Sequence, residues 1–515
     1  MDIKKIFFVI LLLIALIFII PNNILIAILI FGIIVMIHEL GHFIVARKSG
    51  IFVEEFAIGM GPKLISFKKK DTVYSIRILP IGGFCKMLGE DEDVEDKRAF
   101  NRKSVWARMA TIAAGPIFNF ILAFVCAVFV VSYLGYTPTK VDNVTPNMPA
   151  EGKLVEGDTI IRVDGRKPYS YREIQVYTQF SKGEPIDITV KRDNKKERYT
   201  IKPQVELPFI LPKNIIFEDV DSNLSDKIQI GDRILEIDEK IITSKNQIAN
   251  LEEKDSYEVL LERDGNDNTI LIDISSKEMA LIPYLVSEVE SLEIRALDST
   301  LDNKLYLGDK ILKINEEDAI SQEQIREYVE ENSKRLNSFD LLIKREGIDE
   351  PSLITLTTEQ MIYSYRMGIG TDVVKGNFIT NIKQGFNQTI SWVKITLFSF
   401  EQLVTGNVSV KQLAGPVGLV NFISEGYEQE VQRGFMDVMA YLANMILLLS
   451  VNLGVFNLLP VPALDGSRLV FLIIEAVRGK PIDREKEGLI HFVGLVLLML
   501  LMIFVLFNDI QNIFG

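Results

Sequence analysis

Long runs of apolar residues alternate with polar stretches along this chain of 515 residues. A run of about 18 or more apolar residues is long enough to cross the hydrocarbon core of a bilayer as a helix. Five segments reach or approach that length, namely 6–20, 24–46, 109–134, 437–459 and 488–507. The pattern predicts a multi-pass α-helical membrane protein.

The first apolar segment has two interpretations. Two lysines precede it, as in a signal peptide, but no small-residue cleavage site follows it. Pro21 and two asparagines come next, and a second apolar run begins at Ile24. This order favours a helical hairpin, in which 1–23 is an additional membrane span, and the signal peptide remains the alternative.

Basic residues are concentrated before the first apolar segment, between the second and third, and between the last two. The positive-inside rule predicts that these three regions are cytoplasmic. The mixed block 137–375 is then extracytoplasmic. It has about 15 more acidic than basic residues, within a chain of net charge −13, which argues against a nucleic-acid partner. Cys85 and Cys126 lie outside this block, so no disulfide stabilises it.

A candidate metal motif lies near the cytoplasmic end of the second apolar segment. His38 and His42 are one helical turn apart, so both imidazoles can bind one Zn²⁺ ion. Glu39 is adjacent and can take a proton from a zinc-bound water. Polar groups at membrane depth usually persist for a function. A histidine pair that reaches the interface without binding metal is the alternative.

A third ligand is predicted at the end of another span. Asp465 follows Pro460 and Pro462, which break the helix after 437–459, and it reaches the same membrane depth as His42. A catalytic zinc site needs three protein ligands and an open position for water. An ordinary Asp-Gly turn is the alternative for this segment. His491, the remaining histidine, is expected at a helix end in the interface.

The zinc helix and the distant aspartate resemble the paired motifs of site-2 metalloproteases, closest to the bacterial regulator-of-sigma-E protease subgroup. Further similar segments, over roughly 24–135 and 365–510, are Gly59-Met60-Gly61-Pro62, Leu79-Pro80-Ile81-Gly82-Gly83-Phe84, Ala114-Gly115-Pro116-Ile117-Phe118-Asn119, Leu403-Val404-Thr405-Gly406 and Leu413-Ala414-Gly415-Pro416. The resemblance implies His38, His42 and Asp465 as zinc ligands and Glu39 as catalytic base. It also implies that Asn457 lies near the substrate backbone.

The resemblance further implies an intramembrane zinc endopeptidase of the bacterial plasma membrane. Its substrates would be single-span membrane proteins, of the anti-sigma factor or remnant signal peptide type. Two other functions compete with it: a catalytically inactive membrane-anchored scaffold or chaperone, and a proton-coupled transporter, for which internal symmetry among the spans would be expected. The additional N-terminal span departs from the usual pattern of the family.

Three copies of a Gly-Asp turn followed by an alternating strand occur in the acidic block. Gly157, Gly231 and Gly308 are 74 and 77 residues apart, and each copy continues into a short helix and a strand. The pattern resembles the PDZ fold, with a degenerate third copy. Peptide binding at a sheet edge and a spacer that restricts access are both open interpretations.

Residues 64–87 predict a β-hairpin on the cytoplasmic side, associated with the membrane. Gly82 and Gly83 would let another backbone approach closely, and the hypothesis is that its edge pairs with an unwound substrate. An ordinary amphipathic hairpin is the alternative. Residues 380–404 predict an amphipathic helix, either in the outer interface or packed on the bundle.

Together these features predict α-helical membrane cores around an extracytoplasmic α+β insert of tandem PDZ-like domains. The expected boundaries are 1–23 for the additional span, 24–136 for the N-terminal membrane core, 137–206, 207–280 and 281–375 for the three modules, and 376–515 for the amphipathic helix and C-terminal membrane core.

Overall fold

A computed structural model describes residues 22–514, apart from positions 91, 212, 239, 243–244, 252–253, 264–267, 299–300, 302, 346, 349, 409–412 and 414. The chain divides into two compact units. The first contains Met1–Lys140, Lys167–Ile174 and Thr371–Gly515, and the second contains Val141–Arg166 and Gln175–Gly370. Most of the additional N-terminal span expected over 1–23 lies outside the described residues.

The helices of the described residues, in chain order, are α1 (Asn22–Lys48), α2 (Val105–Leu134), α3 (Tyr171–Phe180), α4 (Lys245–Ala249), α5 (Ser276–Met279), α6 (Ile282–Leu285), α7 (Gln322–Asn332), α8 (Thr358–Met361), α9 (Phe378–Val404), α10 (Pro416–Val431), α11 (Phe435–Leu458), α12 (Asp465–Arg478) and α13 (Arg484–Phe514). A 3₁₀ turn covers Phe100–Arg102.

The strands are β1 (Val53–Lys69), β2 (Thr72–Met87), β3 (Asn143–Val144), β4 (Thr159–Val163), β5 (Ile186–Arg192), β6 (Lys195–Ile201), β7 (Gln204–Glu206), β8 (Phe209–Ile210), β9 (Asn214–Phe217), β10 (Arg233–Ile237), β11 (Lys240–Ile241), β12 (Ser256–Arg263), β13 (Asn268–Ser275), β14 (Val286–Val289), β15 (Ala296–Leu297), β16 (Lys310–Ile314), β17 (Glu317–Asp318), β18 (Ser338–Lys344), β19 (Ser352–Thr357), β20 (Ser364–Arg366) and β21 (Ile369–Gly370).

Four helices of the first unit are long and apolar enough to cross a membrane. These segments are Ile24–Lys48, Val105–Leu134, Phe435–Leu458 and Glu485–Gln511. They correspond to four of the five apolar segments, so the prediction of a multi-pass membrane protein is confirmed. Helix α2 begins where Ser104 caps it, its side chain accepting the N–H of Ala107 at 3.3 Å.

Helix α9 lies alongside α2 and α11. Near its start, Asn381 donates to Ser132 at the end of α2 (3.2 Å), and further along, Thr396 donates to Asn452 in the second half of α11 (2.6 Å). Two aromatic pairs continue this alignment, Phe124 with Phe386 and Phe400 with Phe456. Helix α9 therefore packs along the sides of α2 and α11, which is the second of the two predicted arrangements. It does not lie flat across the ends of the other helices.

The predicted hairpin is present in a larger form. Strands β1 and β2 are 17 and 16 residues long, and both bend back on themselves. Ile58 pairs with Gly83 on one side and with Ile76 on the other, so the two strands form a four-segment layer. The order across this layer is 63–69, 72–77, 53–58 and 83–87, which leaves 83–87 at an edge.

The second unit contains the three repeats, each with strands around a buried apolar core. Their main sheets are β4-β5-β6, the sheet containing β9, β10, β12, β13 and β14, and β17-β16-β18-β19. The third copy has the longest repeat helix, α7, with 11 residues, whereas α4 in the second has five. The third copy, whose sequence pattern is the weaker one, also contains a helix and a sheet of four strands.

Each repeat contains the same buried ion pair. The aspartate of the Gly-Asp turn accepts two hydrogen bonds from an arginine at the end of a strand, in the pairs Asp158–Arg192, Asp232–Arg263 and Asp309–Arg345, with distances of 2.6 to 2.8 Å. A backbone N–H three residues earlier also donates to each aspartate. The repeats share this cluster because a buried carboxylate needs compensating donors.

Short strands connect the repeats in a nested order. Early strands pair with late ones: β3 with β21, β7 with β20, β8 with β15 and β9 with β14. Val205 and Leu211 belong to the apolar core of the third repeat. The expected boundary between 206 and 207 therefore falls inside a segment that packs in the third copy, and the copies are not strictly in series.

Candidate metal centre

Two helices of the first unit supply the three predicted ligands. His38 and His42 lie on consecutive turns of α1, and Asp465 is the first residue of α12. Oδ2 of Asp465 is 3.1 Å from Nε2 of His38 and 3.4 Å from Nε2 of His42, and the two Nε2 atoms are 3.1 Å apart. Both histidines are buried, each 7% exposed as a residue. The sequence-distant residues thus meet at one buried point.

The arrangement of these three atoms fits a zinc ion. Ligands at about 2.0–2.1 Å from a tetrahedral metal are separated by about 3.3 Å, close to the three observed distances. Among the described residues, the buried Oδ2 of Asp465 has no hydrogen-bond donor. Two imidazole nitrogens and a carboxylate oxygen therefore direct their lone pairs at one point. A cation at that point would compensate the carboxylate charge, which is costly to bury alone.

The other ring nitrogens of both histidines are engaged by α2. Nδ1 of His42 donates to the carbonyl of Thr111 at 2.9 Å. The amide of Asn119 is 3.1 Å from Nδ1 of His38, and its Oδ1 has no other partner within the described part of the chain. With Oδ1 turned toward the ring, Asn119 accepts the Nδ1 proton. Both Nε2 lone pairs then face the shared point, as in zinc sites with a second layer of hydrogen bonds.

Sequence reasoning did not assign Thr111, Asn119 or Gly115 to the site. A Cβ at Gly115 would lie 2.3 Å from Nε2 of His42 and 2.7 Å from Nε2 of His38. Any side chain at Gly115 would therefore occupy the metal position. The available signal was the similarity of 114–119 to the family motif, which gave no role for single residues.

Glu39 lies between the two ligands in sequence and beside the edge strand of the hairpin layer. A Cβ at Gly83 would be 3.3 Å from Cγ of Glu39 and 2.9 Å from the carbonyl oxygen of Ala57. Gly82 has φ of +83°, where the strand bends. The structure thus brings Gly83 next to Glu39, and the lack of a side chain at Gly83 is what allows α1 and the strand 53–58 to pack this closely against it.

Asn457 is buried near the end of α11, where the helix gives way to the loop 459–464 that leads to Asp465. His491 lies in α13, and its Nδ1 accepts the N–H of Ala463 in this loop at 3.1 Å. It is not one of the three residues that converge.

Arg108 of α2 donates to Glu475 of α12 at 3.1 Å and holds the two helices together.

The sequence matches known proteins over nearly its whole length. The profile of Peptidase family M50 matches residues 26–501. Zinc metalloprotease RasP of Geobacillus kaustophilus is 32% identical over 491 residues, which are 95% of this chain and 97% of that protein. Regulator of sigma-W protease RasP of Bacillus subtilis is 31% identical over 501 residues, 96% and 99% of the two chains.

A further relative is the regulator of sigma E protease of Haemophilus influenzae, 27% identical over 507 residues, which cover 93% of this chain and 96% of that protein. The similarity therefore includes both membrane cores and the block between them. The sequence-based resemblance is confirmed, and so is zinc as the metal. This chain belongs to Peptidase family M50, the membrane zinc metalloproteases of the site-2 type.

Proposed function

We propose that His38, His42 and Asp465 bind the catalytic zinc and that Glu39 is the general base for hydrolysis of peptide bonds within or near transmembrane segments. The observation that carries this proposal is the convergence of three metal-binding atoms, 3.1 to 3.4 Å apart, two of them from a helix that is apolar enough to span a membrane and one from the start of α12. Their neighbour Glu39 lies beside Gly83 in the edge segment 83–87 of the hairpin layer.

The chemistry follows from these roles. Zinc in such a site lowers the pKa of its water toward about 7 and polarises the substrate carbonyl. Glu39 accepts the proton of the attacking water and returns it to the leaving amine. Thr111 and Asn119 keep both imidazoles in the tautomer that binds metal. Asn457, at the end of α11, donates to the substrate backbone.

The substrate must be unwound, because a helix protects its peptide bonds through its own hydrogen bonds. Segment 83–87 is paired on one side with 53–58, and its other edge has no strand partner among the described residues. An extended substrate added to this edge would pass Gly83 and reach Glu39. Gly83→Val would crowd both Glu39 and an added strand, so it should lower the cleavage rate while zinc content stays unchanged. Unchanged turnover would refute strand addition.

Sidedness is proposed from charge. Trp106 at the start of α2 is 69% exposed, and Arg102, Lys103 and Arg108 are close to it in sequence, a combination typical of the cytoplasmic interface. The zinc site then lies toward the cytoplasmic side of a bacterial plasma membrane. The acidic repeats lie on the outside, with the basic surface of the hairpin inside.

The three repeats are proposed to be PDZ-like modules that either bind extended peptides or limit the size of substrates that reach the membrane. Single-span membrane proteins are the proposed substrates, of the anti-sigma factor or remnant signal peptide type. The names of the Bacillus and Haemophilus relatives, regulator of sigma-W protease and regulator of sigma E protease, support this class. The bilayer is the other partner.

The decisive experiment compares purified wild type and Glu39→Gln on a single-span model substrate, with zinc measured in the same preparations. Glu39→Gln should retain zinc and lose cleavage by about 10²- to 10⁴-fold, the usual contribution of a general base. His42→Ala is the matched control and should lose both zinc and cleavage. Cleavage by Glu39→Gln at the wild-type rate would exclude Glu39 as the base.

A further inference from the structure

The position of Asp465 depends on a loop whose backbone is strained. Ala463, two residues before Asp465, has φ of +75°, in the left-handed region that residues with a Cβ rarely adopt. Such a conformation persists only where surrounding contacts enforce it, and it is common at functional sites. The contacts that hold Ala463 therefore also fix the start of α12 and its carboxylate.

Part of this geometry is local, because the N–H of Leu464 donates to the carbonyl of Val461 at 3.1 Å and closes a turn with Pro462 and Ala463 at its centre. The other contacts come from one face of α13. Nδ1 of His491 accepts the N–H of Ala463 at 3.1 Å. Three residues later, Gly494 lies so close to the loop that a Cβ there would be 2.2 Å from Cβ of Pro462 and 2.9 Å from its carbonyl oxygen. Helix α13 thus accepts a hydrogen bond from the loop at His491 and is in close contact with the loop at Gly494.

His491 is itself held in place. Its ring meets Phe471 of α12 edge to face, with centroids 5.6 Å apart, and Oγ of Ser467 is 3.5 Å from Nδ1. Because Nδ1 accepts a hydrogen bond, the ring proton is on Nε2, and Oε1 of Glu487 is 3.8 Å from that atom. The imidazole therefore connects α13, the loop and α12 at the helix start that carries Asp465.

We propose that His491 is a positioning residue that holds Ala463 in its left-handed conformation and so directs the Asp465 carboxylate toward the two imidazoles. The proposal rests on the role of Asp465 as a zinc ligand. The proposed mechanism depends on the acceptor atom Nδ1, because it binds the N–H of the strained residue itself and adds to the turn hydrogen bond between Leu464 and Val461. Removing that acceptor lets the loop relax and moves the carboxylate.

The test uses full-length protein in detergent, loaded with zinc, and measures the rate of zinc release to excess chelator. His491→Phe keeps an aromatic ring beside Phe471 but has no hydrogen-bond acceptor. It should release zinc about ten-fold faster or more, the size of effect that follows when a residue supporting a metal ligand is removed. His491→Asn, whose Oδ1 lies close to the position of Nδ1, should restore most of the retention. Phe492→Leu, at a neighbouring position that is 63% exposed, is the control and should behave as wild type.

A second substitution tests the route through Ala463. Ala463→Gly removes the cost of positive φ, so adding His491→Phe to it should have a much smaller effect than in the wild type. On a model substrate, His491→Phe should lower kcat and leave KM unchanged, since the strand edge is not affected. Equal effects of His491→Phe in both backgrounds, or failure of His491→Asn to restore retention, would overturn the proposal.

Asp465→Ala separates this inference from the proposed site. If Asp465→Ala retains zinc as well as wild type does, the ligand assignment itself fails. If Asp465→Ala loses zinc while His491→Phe releases it at the wild-type rate, only the positioning role of His491 fails.

Discussion

Two regions of this molecule bury an aspartate in different ways. In the repeats, Asp158, Asp232 and Asp309 are 1% exposed or less, and each accepts a forked pair of hydrogen bonds from an arginine. In the membrane unit, Asp465 directs Oδ2 at two imidazole nitrogens, and no donor reaches that atom within the described residues.

The difference concerns the source of the compensating positive charge. A buried carboxylate is stable only when hydrogen bonds or a cation replace its hydration. The repeats carry the cation in their own sequence, so their aspartates stabilise the fold. At Asp465 the cation has to come from solution, and the same residue type serves metal binding instead. The donors around a carboxylate, rather than its burial, separate the two functions.

Asp465→Asn should give the largest effect. An amide is a poor zinc ligand, and loss of partners beyond the ligands already costs about 10- to 100-fold in metal affinity, so loss of a ligand should cost about 100-fold or more. Metal analysis and chelator competition measure the affinity, and cleavage should fall with it. If Asp465→Asn bound zinc as wild type does, the contrast with the repeat aspartates would disappear.

Asp309→Asn in the third repeat should have the opposite outcome, with zinc affinity unchanged and local stability reduced. Arg345 would lose its charged partner while remaining 28% exposed, which should cost about 2–3 kcal/mol, below the value for fully buried pairs. The urea dependence of hydrogen exchange in β16 and β18 measures it. Asp318→Asn, which breaks an exposed pair with Lys313, is the control and should change stability by about 1 kcal/mol or less.

The sequence was sufficient to predict the elements whose signal is local. Four spans are continuous apolar runs, and His38 and His42 are related by the turn of one helix. Asp465 was predicted because its segment ends at the same depth as His42, which is a constraint from the bilayer. The repeats were visible because each needs glycine and aspartate at fixed positions of its turn.

What the sequence could not predict depends on contacts between distant segments. Asn119 and Gly115 are ordinary residues of an apolar helix until α2 is packed against the histidines. The nested pairing of the repeats uses strands of two to four residues, such as β3 with β21, too short for a recognisable pattern. The orientation of α9 follows from its polar contacts, including that of Thr396 with Asn452, and amphipathicity alone allows several orientations.

Asn119→Leu should have a smaller effect on the zinc site than loss of Asp465. It removes the acceptor for Nδ1 of His38 without removing a ligand, and the zinc affinity should fall by about 10- to 100-fold. Asn119→Asp keeps an acceptor for the same proton and should retain zinc. If Asn119→Leu and Asn119→Asp bound zinc equally well, the hydrogen bond to His38 would have no role in the site.

Glu55 on β1 shows that the contrast concerns donors and not the unit in which a carboxylate lies. Although partial burial raises its pKa, hydrogen bonds from Ser75, Lys63 and Arg77 prevail and lower the pKa from 4.5 to about 2. Because the pKa is lower in the folded protein, the stabilisation is complete above about pH 4.5 and is lost as the pH falls toward 2.

Glu55→Gln should therefore destabilise the hairpin layer at pH 7 by about 1 kcal/mol, less than the loss of the buried pair in the third repeat. The difference from wild type should shrink between pH 4.5 and pH 2, as Glu55 itself becomes protonated. Hydrogen exchange of β1 and β2 measures this difference in stability. Zinc-free protein is used because loss of metal in acid would otherwise contribute to the result. A difference that stays constant over this range would mean that Glu55 acts through shape and not charge.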